Sequence, residues 1–276
     1  MQISSWSMLI RSRAAMIGLS IVLFMVIVAI AGPLFTEEAR ISSRTFMAPA
    51  REALLGTDAL GRDVLAQITR GAGVSLLIGV TAALVSVAIG VIVGAAAGFT
   101  GGIVDEILMR VAEAFQVIPQ FFLAILIVAL FGPSMFKIIL VIAILSWPST
   151  ARITRAEFLK LRSLDFVQAA RMSGASPMRL VFWEILPNAL PPVIVNTSLL
   201  VASSILTETN LSFLGLGDPN RVTWGQMLFN ARLFLRTAWW AAAFPGMAIL
   251  LTVLGFNLLG DGLNDVFNPR NRGGEK

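Results

Sequence analysis

DFVQAARMSGASPMRLVFWEILPNALPP, residues 165–192, decides how this chain is read. Long apolar runs lie on both sides of it, yet the segment is polar and punctuated like two short helices. Asp165 stands at an N-cap position, and Gln168, three residues on, completes a capping-box pattern. Phe166, Val167, Ala169, Ala170 and Met172 continue the helix. Gly174 stops it, as a residue able to turn left-handed past the C-terminus. Ser176 then caps a second helix with Pro177 at its first position. That helix carries Leu180, Val181, Phe182 and Ile185 toward the membrane, and Pro187 is expected to break it where the next apolar run begins. The result is a rod of about two turns outside the bilayer, held at both ends. Ala169 and Ala170 keep its surface low and smooth, suited to insertion into a groove. A helix lying on lipid headgroups would need a stronger apolar face. A membrane protein has little reason to build such an element unless something soluble docks on it.

Composition supplies the membrane. Of the 276 residues 57% are hydrophobic and only 13% charged, and the mean hydropathy is +0.83. A soluble domain carries about a quarter charged residues, so this chain has too little polar surface for water. There is no Cys, His or Tyr, which removes disulfides, thiolate metal sites and the commonest general base and metal ligand. The net charge of +5 comes without any basic run interleaved with aromatics, so no nucleic acid partner is expected. Lys and Arg in inner loops, expected of a membrane protein, are the simpler reading, though their bias to the inner side is weak.

Six spans are legible, at about residues 15–35, 74–98, 108–131, 135–152, 188–208 and 241–260. In lipid each must be helical, because its backbone groups find no water. The first ends in Gly32-Pro33-Leu34-Phe35, without a small-x-small cleavage site, and reads as an uncleaved span rather than a signal peptide. The short segment 152–186 carries six basic residues beside two membrane ends and is placed inside, with both termini. The membrane body then covers 15–262, between an inner segment 1–14 and an inner tail 263–276. Its connections are an outer loop 36–73 and an inner loop 153–187. Trp239-Trp240 fits an aromatic anchor at the outer interface, and Trp6 and Trp183 fit the inner one.

Within the membrane, Ser86, Gly90, Gly94 and Gly98 line one face of the second span at four-residue spacing, as close helix packing requires. The fifth span has a polar stripe of Asn196, Ser203 and Thr207, with Ser204 and Glu208 beside it. Two readings stand side by side: hydrogen bonding between helices, or the lining of a translocation route. Glu208 lies near the outer end, where it can reach water.

The inner segment resembles the signature loop of ABC importer permeases, Glu-Ala-Ala, three residues, Gly, nine residues, Ile-x-Leu-Pro. Ala169, Ala170, Gly174, Leu186 and Pro187 match in register, while Gln168 replaces the Glu and Glu184 the Ile. LLGTDALGRDVL at 54–65, SFLGLG at 212–217, FPGMAILLTVLGFNLLGDGL at 244–263 and Asn268-Pro269-Arg270 are similar to the dipeptide/oligopeptide/nickel subgroup, and within it to the second, shorter permease of the pair. The resemblance implies an all-α six-helix transmembrane bundle of the type I ABC importer permease kind with a short cytoplasmic coupling helix. It implies a role in cassette coupling for Asp165, Gln168, Ala169, Ala170, Gly174, Leu186 and Pro187. It also implies two ATP-binding cassette subunits that bind ATP and Mg²⁺, a related but different partner permease, and an extracytoplasmic solute-binding protein. The location it implies is the cytoplasmic membrane of a bacterium or archaeon. No cofactor is expected in the chain itself, and the favoured solute class is peptides.

Other patterns fail on chemistry. Gly56–Asp63 nearly fits a phosphate-binding loop, but Arg62 stands for the Lys and the Asp63 carboxylate would repel phosphate where a hydroxyl should hold Mg²⁺. Asp58, Arg62 and Asp63 are expected to form local ion pairs at an outer turn. Asp105 and Glu106 suit a helix N-terminus, and Glu113 suits a pair with Arg110. A secondary carrier driven by ions or protons would place an acid near the middle of a span, and none is there. An intramembrane protease would need a His base or two embedded Asp residues, which the spans lack.

Overall fold

The structure is a computed structural model, and it describes residues 12–36 and 39–267. Trp6 and Asn268-Pro269-Arg270 lie outside the described residues. Among the described residues there are nine longer helices, a 3₁₀ turn at Arg232–Phe234 and no strand, only two isolated bridges in the 39–63 loop. The helices are α1 (Arg13–Phe35), α2 (Val64–Thr100), α3 (Gly102–Val117), α4 (Gln120–Phe131), α5 (Met135–Leu161), α6 (Asp165–Met172), α7 (Pro177–Leu216), α8 (Trp224–Ala231) and α9 (Trp240–Phe267). Five of them are long and apolar enough to cross a bilayer, and α3 with α4 makes a sixth, broken span. Large apolar side chains such as Ile30, Leu34, Ile92 and Leu130 stay exposed. Lipid tails or other apolar subunits accept such groups as readily as a core does.

Several helices run past the apolar stretch that marks them. α2 has 37 residues, about 55 Å of helix, and takes in Val64–Gly73 from the expected outer loop. Gln67, Thr69 and Arg70 lower the hydropathy there but do not stop a helix. The Asp63 side chain starts it by accepting from the Ala66 N–H at 2.8 Å. Asp63 is thus the N-cap of α2 rather than part of an ion pair. α5 likewise continues nine residues beyond 152, through Arg155 and Lys160.

Prolines act differently along the chain. Pro119 splits the third apolar run: Ile118 before it is extended (φ −87°, ψ 129°), and α4 leaves α3 at an 80° bend. Pro187 does not break its helix, contrary to expectation. A π-helical turn at Leu180–Ile185 makes room, with the Leu186 N–H reaching back to the Val181 carbonyl. The extra residue in that turn re-aims the carbonyls the proline ring would otherwise meet.

The small-residue stripe of α2 packs against α5 within the chain. A Cβ on Gly94 would lie 2.3 Å from the Ala151 carbonyl oxygen, and one on Gly90 would lie 2.5 Å from the Thr150 Cβ. At the other end of the bundle, buried Trp224 donates from Nε1 to the Ile68 carbonyl at 3.2 Å. Trp240 does the same to the Thr57 carbonyl at 3.1 Å. Trp240 is therefore a buried strut fastening the 39–63 loop to α9. Only Trp239, 57% exposed, is free to act as an interfacial anchor.

Candidate functional site: the α6 segment and the polar face of α7

The α6 segment is held from below by a small apolar cluster. Val167 is fully buried against Phe158, Leu161, Leu180, Ile185 and Ala189. Leu164 is the N-cap residue and offers no side-chain acceptor, and Asp165 already lies in the first turn. The expected capping box therefore does not form. Asp165 instead faces the positive end of the helix dipole, and Gln168 Nε2 donates to the Arg162 carbonyl at 2.8 Å. The far end closes as expected. Gly174 has φ +81°, its N–H reaches the Arg171 carbonyl, and the Ala175 N–H reaches the Ala170 carbonyl, at 3.0 and 3.1 Å. This pair of bonds is a Schellman closure.

With one side buried, the other is open. Ala169 is exposed and Ala170 half-buried. Beyond the Gly174 turn, Met178, Phe182 and Trp183 are exposed at 69%, 54% and 78%. They line a concavity of about 670 Å³ with Ser176, Arg179 and Glu184. Leu186 is half-buried and Pro187 exposed. The segment thus presents an exposed rod of small residues beside a shallow apolar hollow.

The polar stripe of α7 separates into three environments. Asn196 Nδ2 donates to the Thr150 hydroxyl of α5 at 3.0 Å, an interhelical bond. Ser203 is exposed and Thr207 half-buried, and both border a cavity of about 170 Å³ with Gln120, Phe121, Ser146 and others. Glu208 does not join them and does not reach water. It is fully buried, and its Oε1 accepts from the Ser212 hydroxyl at 2.6 Å. One residue on a helix is a 100° turn, which carries Glu208 from the open face of Thr207 into the packed side.

The loop at 54–65 is a structural turn. The Asp58 carboxylate accepts from the backbone N–H groups of Leu60 and Arg62, from Arg62 Nε and from Gln67 Nε2, at 2.7–3.0 Å. Glu113 and Arg110 pair at 3.6 Å on the surface. Three contacts escaped the sequence reading. Arg155 grips Asp105 of α3 with both Nε and Nη2. Arg162 Nη1 donates to the Gly98 and Phe99 carbonyls at 3.0 and 3.3 Å. Asp218 Oδ2 accepts from the Met135 N–H at 3.0 Å. The one signal available was the seven-residue spacing of Arg155 and Arg162, which sets both on one face beyond the apolar run.

Five helices and one broken pair long and apolar enough to cross a bilayer, with a short exposed helix beyond one end, define a multi-pass membrane protein. Residues 86–273 match the family model of the binding-protein-dependent transport system inner membrane component, and residues 3–49 match the N-terminal TM domain of oligopeptide transport permease C. The chain belongs to this family of transport permeases. A putative peptide transport system permease protein of Brucella suis is 41% identical, over 95% of this chain and 90% of its own length. The dipeptide transport system permease protein DppC of Bacillus subtilis is 37% identical, over 97% and 85%. The inward-facing MetNI methionine ABC transporter contains a chain of the same fold, with TM-score 0.59 at 19% identity, covering 73% of this chain and 97% of that one. The protein is thus a multi-pass inner-membrane pore subunit of an ATP-driven importer, and its work is transport rather than catalysis.

Proposed function

We propose that the chain and a related second permease form the pore of an importer for short peptides, with this chain as the shorter member of the pair. Peptides are the solutes named for the relatives that match it over nearly its whole length. Asp165, Gln168, Ala169, Ala170, Gly174, Leu186 and Pro187 seat the α6 segment in a groove of one of two ATP-binding cassette subunits, which hold ATP and Mg²⁺. An extracytoplasmic binding protein delivers the solute to the opposite end. The observation that carries this reading is α6 itself: two turns, buried on one side through Val167, open on the other at Ala169, and closed by a left-handed Gly174. Both termini and α6 lie on the cytoplasmic side. Ser203 and Thr207 line the route, while Asn196 ties α7 to α5 and Glu208 bonds within α7.

The test is uptake of labelled di- and tripeptides by the reconstituted assembly. A side chain in the left-handed region costs about 1–2 kcal/mol, and a β-branched one more. Gly174→Val should therefore abolish uptake and stimulated ATP hydrolysis, while Gly174→Asn, which tolerates that region, should keep both. Undiminished uptake by the valine variant overturns the coupling role. Uptake that persists without cassette subunits restores the secondary-carrier reading.

A further inference from the structure

Arg162 occupies an unusual junction. It is the first residue after α5 and lies two residues before Leu164, the N-cap of α6. Its carbonyl accepts the Gln168 Nε2 hydrogen bond from α6, at 2.8 Å. Its guanidinium reaches the other way, to the carbonyls of Gly98 and Phe99 in the last turn of α2. Helix-terminal carbonyls lack intrahelical donors and carry the negative end of the dipole, so a cation there is both a cap and a charge partner. One residue thus ties the end of α5, the start of α6 and the end of α2.

The tie matters because of what else α2 touches. Along the same inner half, Gly94 and Gly98 lie against Ala151 and Phe158 of α5 without room for a Cβ. At its other end α2 is bound to the 39–63 loop through Gln67 and Asp58, and to α8 through Ile68 and Trp224. A push on its inner end is therefore delivered to the opposite end of the bundle. Apart from this tie, α6 meets the bundle through the short turn at Ser163 and the apolar cluster under Val167. Apolar contacts of that kind slide, whereas two charge-assisted hydrogen bonds fix a direction.

We propose that Arg162 is a positioning residue that converts displacement of α6 into movement of α2. The proposal rests on α6 being the cassette-coupling element. It is tested in the complete assembly with cassette subunits, in proteoliposomes, without any solute. Spin labels at Leu84→Cys on α2 and Leu254→Cys on α9, both exposed side chains, report the change in separation on adding ATP and vanadate. The labelled chain with Arg162 intact should show a nucleotide-dependent shift. Arg162→Gln should lose it while the cassettes stay bound, and Arg162→Lys, which still offers a cation to the two carbonyls, should recover part. A role confined to stability would lower assembly yield in proportion and leave the shift intact in what remains. The proposal is overturned if the shift survives Arg162→Gln, if Lys does no better than Gln, or if the intact chain shows no shift. Cassette binding that survives Ala169→Trp would instead sink the underlying assignment of α6, a separate result.

Discussion

Asp218 illustrates what a single side chain contributes. It lies in the turn after α7, where its Oδ2 accepts from the Met135 N–H at the start of α5 and its Oδ1 from the Asn220 N–H at 2.9 Å. Burial acts to raise its pKa, but those two backbone bonds and the Arg221 charge outweigh it, so the carboxyl titrates below its ordinary value. A carboxyl with a lowered folded pKa contributes stability above its unfolded pKa, near 3.9, and loses it as the pH falls through the folded value. Hydrogen bonds to a charged acceptor contribute about 1.5–3 kcal/mol. Asp218→Ala should therefore lower the thermal midpoint in detergent at neutral pH, and the gap to the unaltered protein should close as the pH drops below that range. A gap independent of pH would show that the carboxylate charge is not what holds the turn. Nothing in the local sequence announces this residue, because its partner is 83 positions away.

At the scale of elements, the close-packing face of α2 was legible from the four-residue spacing of Ser86, Gly90, Gly94 and Gly98, while its partner α5 was supplied by the structure. Inserting a methyl into such a seam forces backbone shifts that cost about 1–3 kcal/mol. Gly94→Ala should lower the melting temperature and folded yield, since its Cβ would meet a carbonyl oxygen and the Thr154 Cβ, at 2.7 Å. Gly246→Ala in α9, where a Cβ meets nothing within 4 Å, should be neutral. Equal effects of the two would remove the steric argument. Helix ends were less legible than helix faces. Hydropathy reports where lipid stops, not where the helix does, so Val64–Gly73 and Ile153–Leu161 fell into expected loops. Proline was equally ambiguous: Pro119 ends a helix, while Pro187 is absorbed by a π turn in which Leu180 and Ile185 are buried.

For the whole molecule, function turns on which end of the bundle faces the cytoplasm. The α6 segment is tied to the C-terminal end of α2, and the 39–63 loop packs at its N-terminal end, so about 55 Å of helix separates them. The absence of cysteine makes labelling clean. In spheroplasts a membrane-impermeant maleimide should label Ser43→Cys in the loop directly, and Ser173→Cys beside Gly174 only after permeabilisation. Both side chains are exposed. The reverse pattern would invert the topology and end the case for cassette docking at α6.

Local order in the chain was sufficient for the class of protein: apolar runs long enough to need helices in lipid, and a short polar helix between two of them closed by Gly174. Those features depend on neighbours within a few positions, where side-chain type and helical period are nearly decisive. Only the folded bundle decided that Gln168 bonds to Arg162 rather than capping its own helix, that Glu208 turns inward, and that Arg155, Arg162 and Asp218 bind partners 50 to 83 residues distant. Such contacts depend on how whole helices are rotated and stacked, and that arrangement is set by the sum of many packed surfaces rather than by any one stretch of sequence.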